Sequence, residues 1–298
     1  MQFGNPANFA IGNRQSAISY MIVHLVDGTY ELFRHFYGIR RFKKTDPPYG
    51  AVAGVLRLVA KMLDDGATHI GVATDHIIES FRNGLWPAYK TGAGIEPALR
   101  AQFEPLEEAL LAMGVVVWPM VELEADDALA SAAHLAAQDE QVEKVCIWTP
   151  DKDLAQCVVD DRVVQVDGRR GVIRNAAAVT AKFGVTPHYI PDYLALVGDS
   201  ADGYPGIPGY GPKTAAQFIN RYGPLEDFPL EILRDKVEYA LLFKNLATLR
   251  IDAPLFDDVE ELRWRGATAS FPTFAKCIGD SRLASRVLAL EKRLSRAR

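Results

Sequence analysis

Three apolar segments of this sequence each end at an aspartate, and this repeated arrangement constrains the fold more than any other feature. The segments are MIVHLVD, HIGVATD and KVCIWTPD, which end at Asp27, Asp75 and Asp151. Amphipathic, helix-like segments separate them. Near-continuous apolar strands that alternate with helices indicate a parallel sheet with both faces covered. Because the carboxyl ends of such strands meet at one edge, we expect the three aspartates to lie close together there.

Further acids occur near the same predicted edge, in the segments ELEADDALA, TPDKD and GDSAD. A single acid here has a simpler explanation, such as a helix cap or a turn, but nine in this arrangement predict one cluster. Oxygen-rich clusters suit hard divalent cations, so we predict two Mg²⁺ or Mn²⁺ ions. Two ions about 4 Å apart can activate a water and stabilise the leaving oxygen in phosphoryl displacement. The predicted metal ligands are Asp27, Asp75, Glu124, Asp126, Asp127, Asp151, Asp153, Asp199 and Asp202.

The stretch LVGDSADGYPGIPGYGPKTAAQ has the glycines of a phosphate-binding loop. It is not an ATP-binding P-loop, because Pro212 interrupts the required glycine-lysine step and no strand precedes it. We interpret it as a tight hairpin leading into a helix, whose backbone N–H groups hold one phosphate of a DNA strand without reading its sequence. A hairpin that only packs is the simpler alternative. The residues predicted for this contact are Gly206, Gly209, Gly211, Lys213 and Thr214.

The charge balance is a formal net −5, from 33 basic and 38 acidic residues. It argues against binding nucleic acid by overall electrostatics, although acids gathered in one metal-neutralised site weaken that objection. The run RVLALEKRLSRAR supplies a basic C-terminal helix for local contacts. Three cysteines without paired spacing predict buried, reduced thiols. No segment has the pattern of a signal peptide or a membrane span, so we expect a cytoplasmic protein without membrane association.

The pattern of strand-like and helix-like segments divides the sequence into three predicted parts. We expect a disordered extension over residues 1–20, an α/β core over 21–187, and a helical region over 188–298. Within residues 21–255 the motifs VDGTY, FRNGLWPAYK, ELEADDALA, TPDKDLAQ, LALVGDSADGYPGIPGYGPKTA and LLFKNLATLRID occur in that order. Together they resemble the bacterial 5′-nuclease family, which includes the 5′-3′ exonuclease domain of DNA polymerase I and relatives of the flap endonucleases.

The resemblance implies a PIN-like, parallel-sheet α/β nuclease core with a short arch, followed by a helix-three-turn-helix DNA-binding domain. It implies structure-specific, metal-dependent hydrolysis of DNA at 5′ ends or flaps, and it matches all nine acids to metal-site positions. Arg82 and Lys90 fall on catalytic basic positions near the scissile phosphate, and Tyr89 falls where an aromatic ring stacks on a base. It further implies K⁺ at the hairpin, a monomer, and a polymerase or ligase partner. No polymerase sequence follows, so we expect a free-standing nuclease.

Three departures from the family pattern lie near the site. Ala93 stands where a second basic residue is usual, Gly203 where the family has asparagine, and Thr74 where it has phenylalanine. We expect weaker steering of phosphate and altered metal binding. Two alternatives stay open at this point. One is a PIN-type ribonuclease, and the other is a branched-DNA-binding protein without catalytic activity.

Overall fold

The computed structural model describes residues 21–40 and 48–297, and the predicted extension over residues 1–20 lies outside this part. The strands are β1 Met21–Asp27, β2 His69–Asp75, β3 Val116–Met120, β4 Val142–Trp148, β5 Val163–Asp167 and β6 Val172–Arg174. These six strands form one sheet in the order β3-β2-β1-β4-β5-β6, with parallel pairing from β3 through β5 and β6 antiparallel to β5. This confirms the predicted parallel sheet.

The third aspartate-terminated segment differs from its prediction at its end. Strand β4 stops at Trp148, so Asp151 lies in the following loop instead of at the last strand position. Pro150 explains the early stop, because proline has no N–H to donate to a neighbouring strand. The chain order reverses beside β1, which pairs with β2 on one side and β4 on the other. Open sheets of this kind form a crevice at that reversal, beyond the carboxyl ends of the strands.

Helices cover both faces of the sheet. The α-helices are α1 Gly28–Arg40, α2 Gly50–Asp64, α3 Phe81–Leu85, α4 Pro97–Arg100, α5 Phe103–Ala112, α6 Ala125–Gln138, α7 Ala176–Phe183, α8 Ile190–Val197, α9 Pro212–Tyr222, α10 Leu230–Leu233, α11 Val237–Ala247, α12 Phe271–Cys277 and α13 Ser281–Ala297. Alternate strand residues point to opposite faces, and accordingly Val26 joins the apolar cluster under α2 and α5, whereas Leu25 joins the cluster under α6.

The helical region has a core of its own, formed by α7, α8, α9 and α11. The last two helices, α12 and α13, do not belong to this core. Phe271 of α12 and Val287 of α13 are buried in the cluster under α2 and α5, so this part of the predicted 188–298 region packs on the α/β core. The basic C-terminal run is therefore partly engaged: Arg286 and Arg293 each bond Asp64, at 3.0 and 2.8 Å. These two guanidinium groups are less available to DNA than we predicted.

Two expectations from composition can be compared with the structure. All three cysteines are free thiols, as predicted, but only Cys146 is buried. Cys157 is half-buried and Cys277 is exposed, because the last position of the short helix α12 faces solvent. In the described part of the chain, none of the helices combines the length and the apolar character needed to cross a bilayer.

Candidate active site

Asp27 and Asp75 lie buried at the carboxyl ends of β1 and β2, where their local bonds fix both side chains. Asp27 accepts hydrogen bonds from the Tyr30 N–H at 2.8 Å and from the Thr149 hydroxyl at 3.0 Å. Asp75 accepts one from the Ala125 N–H at 2.8 Å, which ties β2 to the first turn of α6. Burial raises the pKa of Asp27 to about 7, and the neighbouring charge of Asp75 adds to this effect.

Asp126 and Asp153 face the same crevice. Burial, followed by the charge of Asp151, raises the pKa of both carboxyl groups well above the ordinary value. Asp153, Asp199 and Asp202 each offer an oxygen within 4.8 Å of the others. Furthermore, Asp153 Oδ1 is buried without a hydrogen-bond partner. The strand-end aspartates and the GDSAD loop thus meet in one cluster, which we call the acidic cleft and define by Asp27, Asp75, Asp126, Asp151, Asp153, Asp199 and Asp202.

Carboxylates that raise one another's pKa indicate negative charge that the protein itself does not neutralise. Asp202 and Asp75 follow the same pattern, since burial raises the pKa of each despite the opposing charge of Lys90. A bound divalent cation reverses this penalty by favouring the ionised forms. Carboxylate oxygens are the ligands that hard divalent cations prefer, so the donor set of the acidic cleft fits such an ion.

Two lysine side chains reach the cleft from its rim, and both are partly exposed. Lys90 Nζ lies 2.6 Å from Glu124 Oε2 and 3.3 Å from Asp202 Oδ1, and so connects the start of α6 to the GDSAD loop. Lys152 Nζ lies 2.7 Å from Asp199 Oδ2. Lys152 was not among the predicted site residues, although its position between the two aspartates of TPDKD was the available signal.

Arg82 and Asp127 form a fully buried pair beside the cleft. The Arg82 guanidinium uses all five of its N–H donors within the protein: two on Asp127 at 2.7 Å, one on Glu124 at 3.0 Å, and two on the carbonyls of Leu246 and Thr248. No donor is left for a phosphate. We therefore assign Arg82 a structural role in place of the predicted catalytic one.

Asp127 is equally saturated. Besides its two bonds from Arg82, it accepts from the backbone N–H groups of Glu124 at 3.0 Å and Arg250 at 2.9 Å. A carboxylate has about four acceptor sites, and all four are occupied. We therefore do not include Asp127 among the metal ligands that we propose.

Glu124 occupies an intermediate position between the pair and the cleft. One oxygen accepts from Ser80 and Arg82, and the other is contacted by Lys90 and by the hydroxyl of Tyr89, at 3.3 Å. Burial alone would raise the pKa of Glu124, but the charges of Lys90 and Arg82 outweigh burial and lower it. Glu124 thus stays ionised without a metal ion.

Tyr89 differs from its prediction. Tyr89 is 3% exposed and packs in the apolar cluster of the helical region, with its hydroxyl bonded to Glu124. Stacking on a base requires an accessible ring face, and the ring of Tyr89 offers none in this structure. We assign it the packing role.

The segment after α3 lies directly on the GDSAD loop. Trp86 donates from its indole N–H to the Gly203 carbonyl at 3.0 Å, and the Lys90 N–H donates to the Asp202 carbonyl at 2.9 Å. Gly203 has φ +83°, and a Cβ there would lie 2.1 Å from the carbonyl oxygen of Ala88. Glycine at this departure from the family pattern therefore permits the close approach. The segment FRNGLWPAYK, which we relate to the short arch, contains one helix, α3, of five residues, and the arch itself stays a prediction.

The other two departures from the family pattern are Ala93 and Thr74. Ala93 is exposed on the segment after α3 and adds no charge to the cleft. Thr74 is buried, and its hydroxyl donates to Glu107 at 2.8 Å, which attaches the end of β2 to α5. The side chain at position 74 thus supports the strand end that carries Asp75.

The predicted hairpin glycines serve two different purposes. Gly206, with φ +71°, packs against Gly198, since a Cβ would lie 2.4 Å from the Gly198 nitrogen. We assign it to packing, in place of phosphate contact. Gly209 and Gly211 are exposed with no atom within 4 Å of a Cβ position, so a ligand can approach their backbone. Lys213 and Thr214 open α9, whose first N–H groups lack intrahelical partners.

Comparison with known proteins gives concordant results along the chain. The family model described as 5′-3′ exonuclease, N-terminal resolvase-like domain, matches residues 22–184, and that described as 5′-3′ exonuclease, C-terminal SAM fold, matches residues 185–270. The chain is 31% identical over 251 residues to the 5′-3′ exonuclease of Aquifex aeolicus, covering 81% of this chain and 86% of that protein. It is 34% identical over 260 residues to DNA polymerase I of Rhizobium leguminosarum, of which it spans 25%.

Solved structures show the same fold at lower identity. T5 5′-exonuclease with bound zinc ions aligns with a TM-score of 0.62 at 20% identity, over 86% of this chain and 98% of the other. The catalytic core of Rad2 in complex with a DNA substrate aligns with a TM-score of 0.60 at 15% identity, over 92% and 93%. Both parts of the fold, the α/β core and the helical region, are therefore shared with these proteins.

Proposed function

This chain belongs to the 5′-3′ exonuclease family, and from that premise we propose that it hydrolyses DNA phosphodiester bonds at 5′ ends and 5′ flaps with divalent cations. The observation that carries the proposal is the group Asp153, Asp199 and Asp202, whose oxygens converge within 4.8 Å beside the strand ends. The chain spans about a quarter of the length of the DNA polymerase I relatives, and we propose the activity for this nuclease portion alone.

The residues of the acidic cleft would hold the cations, and our preferred assignment is two Mg²⁺ or Mn²⁺ ions. When bound, such ions supply an activated water and stabilise the departing oxygen. Lys90 is the basic residue we propose to act on the substrate, because its partly exposed ammonium group already lies among the acids at 2.6 and 3.3 Å. Cations at the carboxylates would free it to offset charge on the scissile phosphate.

We propose that the duplex is held at a second place, the exposed start of α9. Gly209 and Gly211 allow the DNA backbone to approach, and the N–H groups and side chains of Lys213 and Thr214 would bind one phosphate. Contacts of this kind position a strand without reading its sequence, so cleavage would depend on DNA structure. K⁺ at this hairpin, a polymerase or ligase partner, a monomeric state and a cytoplasmic location stay predictions.

The test is cleavage of a 5′-labelled flap duplex in Mg²⁺, Mn²⁺ or chelator by the wild type and two variants. Asp153→Asn removes a charge from the cleft, and Asp252→Asn removes one from an exposed aspartate outside it. We expect metal-dependent cutting near the junction that disappears in Asp153→Asn and persists in Asp252→Asn. Binding of the flap without cutting in any metal would favour a branched-DNA-binding protein. Preferential cutting of a matched RNA would favour a PIN-type ribonuclease.

A further inference from the structure

Tyr204, directly after the GDSADG sequence, is held in place from two directions. Its backbone exchanges two hydrogen bonds with Asp199, at 2.9 and 3.0 Å. Its ring stacks on Phe243 of α11, with centroids 5.6 Å apart and planes inclined by 27°. The backbone bonds and the stacking together determine where the phenol hydroxyl points.

That hydroxyl is buried and has no hydrogen-bond partner, although Tyr204 is only 1% exposed. Among the described residues, four buried side-chain polar atoms lack partners, and Asp153 Oδ1 is another of them. Leaving a buried polar atom unbonded costs about 1–3 kcal/mol, so each such atom requires an explanation. The two backbone bonds to Asp199 keep Tyr204 at the end of the GDSAD loop, whose Asp199 and Asp202 belong to the acidic cleft.

We infer that Tyr204 is a positioning residue of the metal centre, and that its hydroxyl holds a water molecule in the hydration shell of the cation at Asp153, Asp199 and Asp202. The inference rests on the proposed function, because it requires a cation at these carboxylates. A phenol oxygen can accept a hydrogen bond from one O–H of such a water, and a carboxylate oxygen can accept one from the other O–H. One bridging water would thereby provide partners for both Tyr204 and Asp153.

The chemistry of the ion and of the Tyr204 side chain both favour a hydroxyl that holds a metal-bound water. Mg²⁺ usually keeps several of its waters when proteins bind it, and groups that orient a metal's ligands commonly change its affinity by 10–100-fold. The stacking on Phe243 needs only the ring, and a phenylalanine would supply it. The hydroxyl therefore gains a hydrogen-bond partner only when a further group, such as a metal-bound water, enters the cleft.

The experiment measures Mn²⁺ binding by titration calorimetry, and thermal unfolding in chelator and in saturating Mn²⁺. Tyr204→Phe keeps the ring and removes only the hydroxyl. We expect its melting temperature in chelator to equal or exceed that of the wild type, its Mn²⁺ affinity to fall about tenfold, and its Mn²⁺-induced rise in melting temperature to shrink. Tyr210→Phe is the matched control, because that hydroxyl donates to the Ile232 carbonyl at 2.9 Å. It should lower the melting temperature in both conditions and leave Mn²⁺ affinity unchanged.

Two results would overturn the inference while leaving the proposed function intact. One is a Tyr204→Phe protein that binds Mn²⁺ as tightly as the wild type. The other is a Tyr204→Phe protein that is less stable in chelator, because this would mean that the hydroxyl already has a partner within the protein. A wild type that binds no Mn²⁺ would instead contradict the metal centre itself, and the role of Tyr204 with it.

Discussion

The buried pair Arg82 and Asp127 and the acidic cleft lie side by side at the start of α6, yet their charges are balanced in opposite ways. In the pair, five donors meet internal acceptors and four acceptor sites are filled. In the cleft, aspartates raise one another's pKa, and Asp153 Oδ1 lacks a partner. The pair is complete without a ligand, whereas the cleft keeps negative charge that a bound cation would offset.

The difference shows how a charged residue in a functional motif can be assigned. Arg82 and Lys90 belong to the same motif and carry the same charge. Only Lys90 is partly exposed, and only its carboxylate neighbours could be neutralised by a metal ion in its place. Available hydrogen-bonding capacity, more than charge or position in the motif, separates a residue that acts on a substrate from one that supports the fold.

The strongest test of the comparison is removal of the buried arginine. Arg82→Ala leaves Asp127 charged, buried and without its main partner, so we expect a loss of about 3–5 kcal/mol in the free energy of unfolding, with or without metal. Denaturant unfolding measures it. Arg57→Ala is the control, since Arg57 pairs with Asp280 at the surface and should contribute below about 1 kcal/mol. Equal losses in the two variants would contradict the assignment of Arg82 to structure.

Lys90→Ala tests the other half of the comparison. We expect single-turnover cleavage at saturating Mg²⁺ to fall about 10²–10³-fold, because one stabilising charge on the transferring phosphate is lost. The unfolding free energy in Mg²⁺ should fall by less than half of the loss in Arg82→Ala. Lys90→Arg keeps the charge and should recover part of the rate. A stability loss as large as that of Arg82→Ala, with cleavage retained, would erase the distinction between the two residues.

Gly203→Ala tests how closely the Lys90 segment must lie on the GDSAD loop. The new Cβ would lie 2.1 Å from the Ala88 carbonyl oxygen in a backbone with φ +83°, so we expect a loss of about 1–3 kcal/mol in unfolding free energy and slower cleavage. Gly209→Ala is the matched control, with φ +94° and no atom within 4 Å. If both variants lose the same stability, backbone strain alone is responsible and the contact with Ala88 has no effect.

The smallest expected effect is a dependence of folding stability on pH that arises in the acidic cleft and not in the pair Arg82 and Asp127. The folded protein holds the pKa of Asp27 at about 7, above its ordinary 3.8. The folded state therefore binds more protons than the unfolded state between these values, and stability falls as pH rises through this window. We expect the chelated protein to lose at least about 1 kcal/mol between pH 5 and pH 8. Melting temperatures in chelator and in Mn²⁺ measure it. Stability that rises with pH in chelator would refute it, and Asp27→Asn should flatten the slope.

Much of the architecture follows from local sequence patterns. Apolar runs ending at Asp27 and Asp75 predicted two parallel strands and the edge where their acids meet, because strand direction fixes which ends lie together. The hairpin before α9 was predicted from its glycines and from Pro212 at the first helical position. The strand before Asp151 ended earlier than predicted, at Trp148.

The amino-acid sequence by itself thus determined the sheet, the gathering of acids at its edge and the helical region that follows. Only the tertiary structure decided which charges are available. Arg82 reaches the Leu246 carbonyl across 164 positions of sequence, and Asp127 bonds Arg250 across 123. Whether a charged side chain is saturated or free depends on partners brought together through space, and periodicity and motif spacing carry no information about such contacts.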